Sequence, residues 1–382
     1  MRIALVTTSF PRDPEDPSGH FVATSARRLA ARGHEVHVIA PGGSPLAPPE
    51  RAAGVLVHRA GGGALFAWPG AIARAREAPL RLLALAPFAV SVRLRLRALA
   101  SWGALDALIA HWIVPSAFPL LLGASAPLEV VAHGADVRLL LATPGPARDR
   151  ILGALLSRGA RFTFAARALL DGLRSALSPS LAEALGRAAR VEPPPLDLPD
   201  VHDEAAARRA ALALSPEERL LVAAGRLIPS KRVALAIEAV AAARALGGPP
   251  ARLAVVGDGP ERAALARRAR ELSVEVIFTG ALPRREALAW IAAADALVHP
   301  SRCEAAPTVV REARALGVLV AACDAGDLVD WAREDEGIHV AAPSGLALAE
   351  AIRAMLPRAT SRCAETSAGG ASGSVSRSSC IW

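Results

Sequence analysis

Apolar runs of about five to eight residues alternate with helix-periodic stretches along nearly the whole chain, the pattern of parallel strands whose crossovers are covering helices. Parallel neighbours cannot be joined by a tight turn, so each strand demands a crossover and the sheet is buried on both faces. A strand is expected over residues 2–8, and a helix follows over 20–32, stopped by Gly33. Further strands are expected at EVHVIA from Glu35, VLVHRA from Val55, LDALIAHW from Leu105, LEVVAHG from Leu128 and RFTFA from Arg161. The alternation pauses once, at VEPPPLDLPD (191–200), where crowded prolines forbid a helix and suit an extended connector. It then restarts, with RLLVAAG from Arg219, ARLAVVG from Ala251, EVIFTG from Glu275, DALVHP from Asp295 and VLVAAC from Val318. The expectation is an α/β protein of two Rossmann-like domains, 1–192 and 201–358, joined by the linker 193–200. Residues 359–382 are rich in Ser and Gly, lack periodicity and are expected to be disordered, or to reflect a shifted reading frame.

Composition narrows the functional classes. With 382 residues, 52% of them hydrophobic, the chain can build two cores. Its longest apolar runs are broken by Arg or Pro before they could span a bilayer, and its start reads as a strand, not a signal peptide. A cytoplasmic protein is expected. Cys303, Cys323, Cys363 and Cys380 are widely spaced and form no zinc pattern, so free thiols and no structural metal are expected. The net charge of +8 comes from arginines scattered through helices, which argues against a nucleic-acid partner. The segment 81–97, RLLALAPFAVSVRLRLR, fits two readings. It is either an amphipathic helix in peripheral contact with anionic membrane at the inner face, or an ordinary helix packed on the sheet with arginines outward.

Of the 44 basic residues only Lys231 is a lysine, and it lies in GRLIPSKR (225–232), just beyond an expected strand. Ligands of such sheets bind beyond the carboxyl ends of strands, where loop cations and helix amino termini meet an anion. Arg226 and Lys231 suit a diphosphate there, and a compact ammonium is not interchangeable with a planar guanidinium. In SRCEAAPTVVREARALG (301–317), Glu304 precedes a proline-started helix and Glu312 lies eight residues on, about two helical turns. Carboxylates so placed can accept hydrogen bonds from paired sugar or ribose hydroxyls.

Several alternatives are weakened by what is missing. GDGPER lacks the third glycine of a dinucleotide fingerprint, Arg262 standing in its place. Ser116 and His111 suggest a hydrolase, yet no G-x-S-x-G elbow exists in the sequence. No D-x-D occurs to hold a divalent ion. His111–Trp112 can face an acceptor or belong to the core, and the same holds for His20 and His299.

Gly225-Arg226 with Lys231, VVGDGPE from Val255, VIFTG from Val276 and Glu304-x7-Glu312, in that order, resemble glycosyltransferase family 4. RRLAARGHEVHVIAP from Arg27, AHWIVPSAFP from Ala110 and VVAHGADVRLL from Val130 resemble its acceptor-side domain, so the likeness covers about residues 1–357. It implies the GT-B architecture, two Rossmann-like domains facing a central cleft. It also implies a retaining, metal-independent transfer from a nucleoside diphosphate sugar to a glycan or lipid-linked acceptor, without a cofactor. By the resemblance, Arg226 and Lys231 neutralise the leaving diphosphate, and Gly19 lets backbone N–H groups approach the phosphate. Gly280, Ala281 and Leu282 meet the base through the backbone, and Glu312 binds the ribose hydroxyls. Glu304 and His133 lie beside the transferred sugar and the reaction centre, and Asp136 holds a loop or an acceptor hydroxyl. The chain departs from the family's pattern with Ser18-Gly19 for two glycines, AAP after Glu304 for FGL, and a single glycine, Gly326, before Asp327. An epimerase or phosphorylase on the same fold, and a noncatalytic partner in glycan assembly, remain alternatives.

Overall fold

In the computed structural model, residues 1–12, 16, 19–44, 47–67 and 70–356 are described. The tail expected to be disordered lies outside these residues. The first sheet contains β1 (Arg2–Val6), β2 (Glu35–Pro41), β3 (Glu50–Ala52), β4 (Val55–Ala60), β5 (Ala107–His111), β6 (Leu128–Ala132), β7 (Arg161–Phe164) and β8 (Ala189–Val191). The second contains β9 (Arg219–Ala224), β10 (Ala251–Val256), β11 (Val276–Gly280), β12 (Ala296–His299), β13 (Leu319–Cys323) and β14 (Ile338–Ala341). Their orders are β3-β4-β2-β1-β5-β6-β7-β8 and β11-β10-β9-β12-β13-β14. All pairs are parallel except β3 against β4.

Both sheets reverse their winding direction once, between β1 and β5 and between β9 and β12. Crossovers on either side of such a point diverge to opposite faces and leave a crevice at the strand carboxyl ends. The central strands are almost wholly apolar, as burial on two faces requires: Ala4, Leu5 and Val6 are fully buried, as are Leu220, Leu221 and Val222. At about 25 cal/mol per Å², each buried Leu or Val contributes roughly 1.5–3 kcal/mol relative to exposure.

The segment between the sheets is tied to both. Arg27 pairs with Asp197 at 2.7 Å, Arg28 donates to the Leu196 carbonyl at 2.6 Å, and Arg311 of the second half donates to the Pro194 carbonyl at 2.5 Å. Ala305 packs into the apolar core of the first half, so the two halves meet at the loop after β12. No helix among the described residues is long and apolar enough to cross a membrane.

Candidate functional site

The opening of the second sheet's crevice is built from the loops after β9 and β12. After β9 the chain turns at Gly225 (φ 141°), forms a short 3-10 turn over Pro229–Lys231, and passes through a left-handed Arg232 into the helix Val233–Ala245. The helix therefore starts just after Lys231, the lysine occupying the turn ahead of it. Beyond β12 the chain is irregular from Pro300 to Pro307, and the helix Thr308–Ala315 begins only there. Of the two glutamates only Glu312 is helical; Glu304 sits on the loop, so no two-turn helical spacing relates them.

Lys231 Nζ lies 2.5 Å from Glu304 Oε1, joining the loops across the switch point. Its Cε passes close to Gly225, 3.8 Å from where a Cβ would stand. His299, at the end of β12, places Nε2 3.3 Å from the same carboxylate oxygen. Burial alone would raise the Glu304 carboxyl, but the His299 contact and the Lys231 charge overcome it and hold the group well below the usual carboxylate range. Burial lowers His299, with Glu304 opposing and Lys231 reinforcing that shift. The cluster is an ammonium and a carboxylate buttressed by a mostly neutral imidazole.

Glu312 is buried, and Arg284 donates to its Oε1 at 2.6 Å. Burial raises its pKa, while Arg284 and Arg311 pull the other way. Arg284 opens the helix Arg284–Ala293, directly after the Gly280–Leu282 loop, so the Glu312 carboxylate is tied to that loop. Ala281 is exposed, and Leu282 is half-buried against the second core. Gly280 accepts from Gly257 N at 2.9 Å. A Cβ on Gly257 would stand 1.9 Å from the Gly225 carbonyl oxygen, and one on Gly259 2.4 Å from that of Leu227. The glycines of VVGDGPE thus let the loops after β9 and β10 lie against each other. Arg226 is exposed on the same loop, its carbonyl accepting from Ile228 N.

The facing wall comes from the first half. Gly19 takes a left-handed conformation (φ 67°) at the amino end of the helix His20–Ala31, and a Cβ there would stand 2.3 Å from the Ser9 carbonyl oxygen. Phe21 in this helix's first turn packs on His133, ring centroids 4.8 Å apart. His133 stacks on His111 with rings 7° from parallel, and its Nε2 lies 2.8 Å from His111 Nδ1. Burial pushes His111 down to about 3 and also lowers His133, with the neighbouring imidazole adding to the latter shift. Both rings are neutral at physiological pH. Asp136 accepts from the backbone N–H groups of Ile113, His133 and Gly134 at 2.9, 3.1 and 2.9 Å, which makes it the brace of the His133 loop. Next to His133, a Cβ on Gly134 would stand 3.2 Å from the Ala305 Cβ, so the His133 and Glu304 loops touch.

A chain of direct contacts therefore runs from the Gly19 turn through Phe21, His133 and Gly134 to the Glu304 loop, Lys231, Gly225, Gly257 and Gly280. Arg226 joins this set through its backbone. Sequence reasoning missed His299 and the side chain of Arg284 as partners of the two glutamates. It also missed Asp327, whose carboxylate accepts from the Arg167 and Ala168 N–H groups at 2.6 and 2.8 Å. Those groups open the helix Arg167–Ser175, which has no side-chain cap of its own, so an aspartate of one half caps a helix of the other. The signal for it was Gly326, at φ 65°, where a Cβ would stand 2.2 Å from the Ala305 carbonyl oxygen. Among the described residues no cluster of three or more His, Cys, Asp or Glu side chains could hold a metal ion.

Two parallel-sheet α/β halves, each with a single switch point and meeting at a cleft, define the GT-B class. The model described as Glycosyltransferase Family 4 matches residues 18–194, and the model described as Glycosyl transferases group 1 matches residues 205–366. The chain belongs to glycosyltransferase family 4. It is 35% identical over 144 residues to TuaC of Bacillus subtilis, a glycosyltransferase assigned to teichuronic acid biosynthesis, covering 38% of this chain and 34% of that protein. It is 32% identical over 260 residues to the 2-deoxystreptamine glucosyltransferase of Streptomyces kanamyceticus, covering 64% and 65%. The matches thus span about a third to about two thirds of those relatives' length. Sucrose-phosphate synthase from Thermosynechococcus elongatus has the same fold, with a TM-score of 0.66, 22% identity, and coverage of 93% of this chain and 89% of that one.

Proposed function

We propose that this chain is a retaining, metal-independent hexosyltransferase acting inside the cell. It moves a sugar from a nucleoside diphosphate donor to a hydroxyl of a glycan or lipid-linked acceptor in polysaccharide or glycolipid assembly. The observation that carries this is the Lys231–Glu304 pair across the β9/β12 switch point, with Glu312 held by Arg284 nearby. In this reading residues 201–358 hold the donor, 1–192 hold the acceptor, and 193–200 connect them. Lys231 and Arg226 neutralise the diphosphate as it leaves, and Gly19 brings backbone N–H groups towards the same phosphates. Glu312 accepts the ribose hydroxyls, and the Gly280–Leu282 backbone meets the base. Glu304 and His133 border the transferred sugar.

The chemistry balances without a metal ion. The acceptor oxygen attacks the anomeric carbon from the face on which the diphosphate departs, the C–O bond to phosphate breaks, and the departing phosphate oxygen takes the hydroxyl proton. Burial, with the neighbouring His111 ring, makes His133 a weaker base than an ordinary imidazole, which favours the phosphate oxygen as the proton acceptor. The names of the matched relatives support the finer reading, since one is assigned to teichuronic acid biosynthesis and another is a glucosyltransferase. The test is transfer from a panel of nucleotide sugars, with the anomeric configuration of the product read by NMR. Retained configuration without added divalent ion is expected; inversion, or isomerised donor in place of transfer, overturns the reading.

A further inference from the structure

Eleven large apolar side chains are exposed among the described residues, and six of them lie between Leu80 and Trp102. Leu80, Leu82 and Leu83 are 80%, 49% and 72% exposed on the 3-10 turn Pro79–Ala84. Val90 and Leu94 are 57% and 55% exposed on the helix Leu85–Ser101, and Trp102, 68% exposed, closes it. This helix packs on the first sheet through Phe88, Val92 and Leu99, at i, i+4 and i+11. Its core-facing stripe is therefore already satisfied. The outward face carries Val90, Arg93, Leu94 and Arg97, where a helix ending at solvent would carry mixed charges.

The charge on this face has one sign. No acidic residue occurs between Glu77 and Asp106. Arg81 is paired with Glu77 at 2.8 Å and Arg95 is turned inward to the Ala47 carbonyl, which leaves Arg93 and Arg97 as the exposed cations of the helix. Leucines interleaved with unopposed arginines, closed by a tryptophan, match the layering of a bilayer surface: acyl chains, anionic headgroups and the interface between them. A protein partner would need a complementary acidic surface as well as an apolar one, whereas an anionic lipid surface supplies both at once.

On its inner side, the segment that carries this face packs against the loop that lines the acceptor side of the cleft. Gly62, at the end of β4, is pressed against this segment: a Cβ there would stand 2.9 Å from Phe88 Cβ and 3.1 Å from the Ala84 carbonyl oxygen. The next residue, Gly63, lines a pocket with Phe10, Arg12, Asp16, Gly42 and Phe66 at the carboxyl ends of β1, β2 and β4. We infer that the Leu80–Trp102 face docks on an anionic lipid bilayer and sets this pocket at the membrane surface. Presentation of a lipid-linked acceptor to the pocket rests on the transferase reading; the docking does not.

Vesicle co-sedimentation of the full chain, without donor, tests this. The probes are vesicles of phosphatidylcholine with about a third phosphatidylglycerol, and vesicles of phosphatidylcholine alone. The protein is expected to sediment with the anionic vesicles, and less so as salt is raised. Arg93→Gln with Arg97→Gln is expected to weaken partition about tenfold to thirtyfold, at about fivefold per arginine. Leu80→Ser, Leu83→Ser and Leu94→Ser together are expected to weaken it about tenfold or more. A control, Leu246→Ser with Leu346→Ser, alters exposed leucines elsewhere and is expected to change nothing. All three variants replace exposed side chains and are expected to keep the wild-type melting temperature, which is checked alongside. Failure of the wild type to bind anionic vesicles, or equal binding by the triple leucine variant, overturns the inference. So does a vesicle-free dimer that the leucine variant dissociates, because the face would then belong to a second copy. Vesicle binding by a protein without transferase activity would sink the transferase reading alone.

Discussion

Replacing Lys231 with alanine removes one member of a pair whose side chains are 22% and 14% exposed and whose charged atoms are 2.5 Å apart. The gross attraction at an effective dielectric of about 20 is roughly 6–7 kcal/mol, much of it offset by the desolvation of both ions. Glu304 stays buried in the variant with only His299 beside it, so the expected net loss is about 2–3 kcal/mol at neutral pH. For a domain of this size that corresponds to a fall of roughly 4–12 °C in the transition of the second half, read by calorimetry. The sign with pH is fixed by the lowered Glu304 pKa. Its contribution is fully present above the unfolded carboxyl value of about 4.3 and is lost as the pH falls towards the folded value. The gap between wild type and variant is therefore constant near neutrality and closes below about pH 4. Transfer is expected to fall about a hundredfold or more, because in the proposed mechanism Lys231 is the ammonium that neutralises the leaving diphosphate. Lys231→Met combined with Glu304→Gln separates the effects: stability recovers and transfer does not. Lys231→Arg is expected to fail as well, since a planar fork does not fit between Gly225 and Glu304. Wild-type turnover in Lys231→Ala or Lys231→Arg would refute the role given to this lysine.

Gly257→Ala is expected to cost about 3 kcal/mol or more, visible as loss of the second half's melting transition, because the new Cβ meets a backbone carbonyl at 1.9 Å and φ is 135°. Asp327→Ala removes a cap that joins the two halves, with an expected loss of about 1–2 kcal/mol. Faster hydrogen exchange at the Arg167 and Ala168 amides would show it, and unchanged protection there would contradict it. Arg284→Leu leaves only Arg311 to oppose burial at Glu312, which raises its carboxyl further. The donor KM of that variant should climb more steeply than wild type as the pH is lowered from about 8 to about 5.5, while kcat changes little.

The strands buried on both faces were legible in the sequence because they are continuous apolar runs bounded by turn residues. The elements that escaped are short and lie at or near sheet edges: β3 is exposed throughout, and β8 and β14 have three and four residues. Their pairing is decided by neighbours, not by local pattern. The site was legible as an ordered set of motifs but not as contacts. Lys231 and Glu304 are 73 positions apart, and Asp327 meets a backbone 160 positions away. GDGPER reads as a broken dinucleotide fingerprint in one dimension. In three it is a close approach of two loops, and the missing third glycine is irrelevant because Arg262 begins a helix beyond the contact. Both readings of 81–97 call for a helix with one apolar face, so the sequence pattern does not separate them; the packing of Phe88, Val92 and Leu99 on the sheet fits the ordinary helix, and the exposure of Leu82, Leu83 and Leu94 is what the membrane proposal rests on.

Calorimetric titration with a nucleoside diphosphate and the matching monophosphate, on wild type and Lys231→Ala, tests the central claim most directly. If Lys231 meets the outer phosphate, the diphosphate binds wild type much more tightly than the monophosphate, and that preference shrinks at least about tenfold in the variant while monophosphate affinity is kept. An equal preference in both proteins would contradict the account.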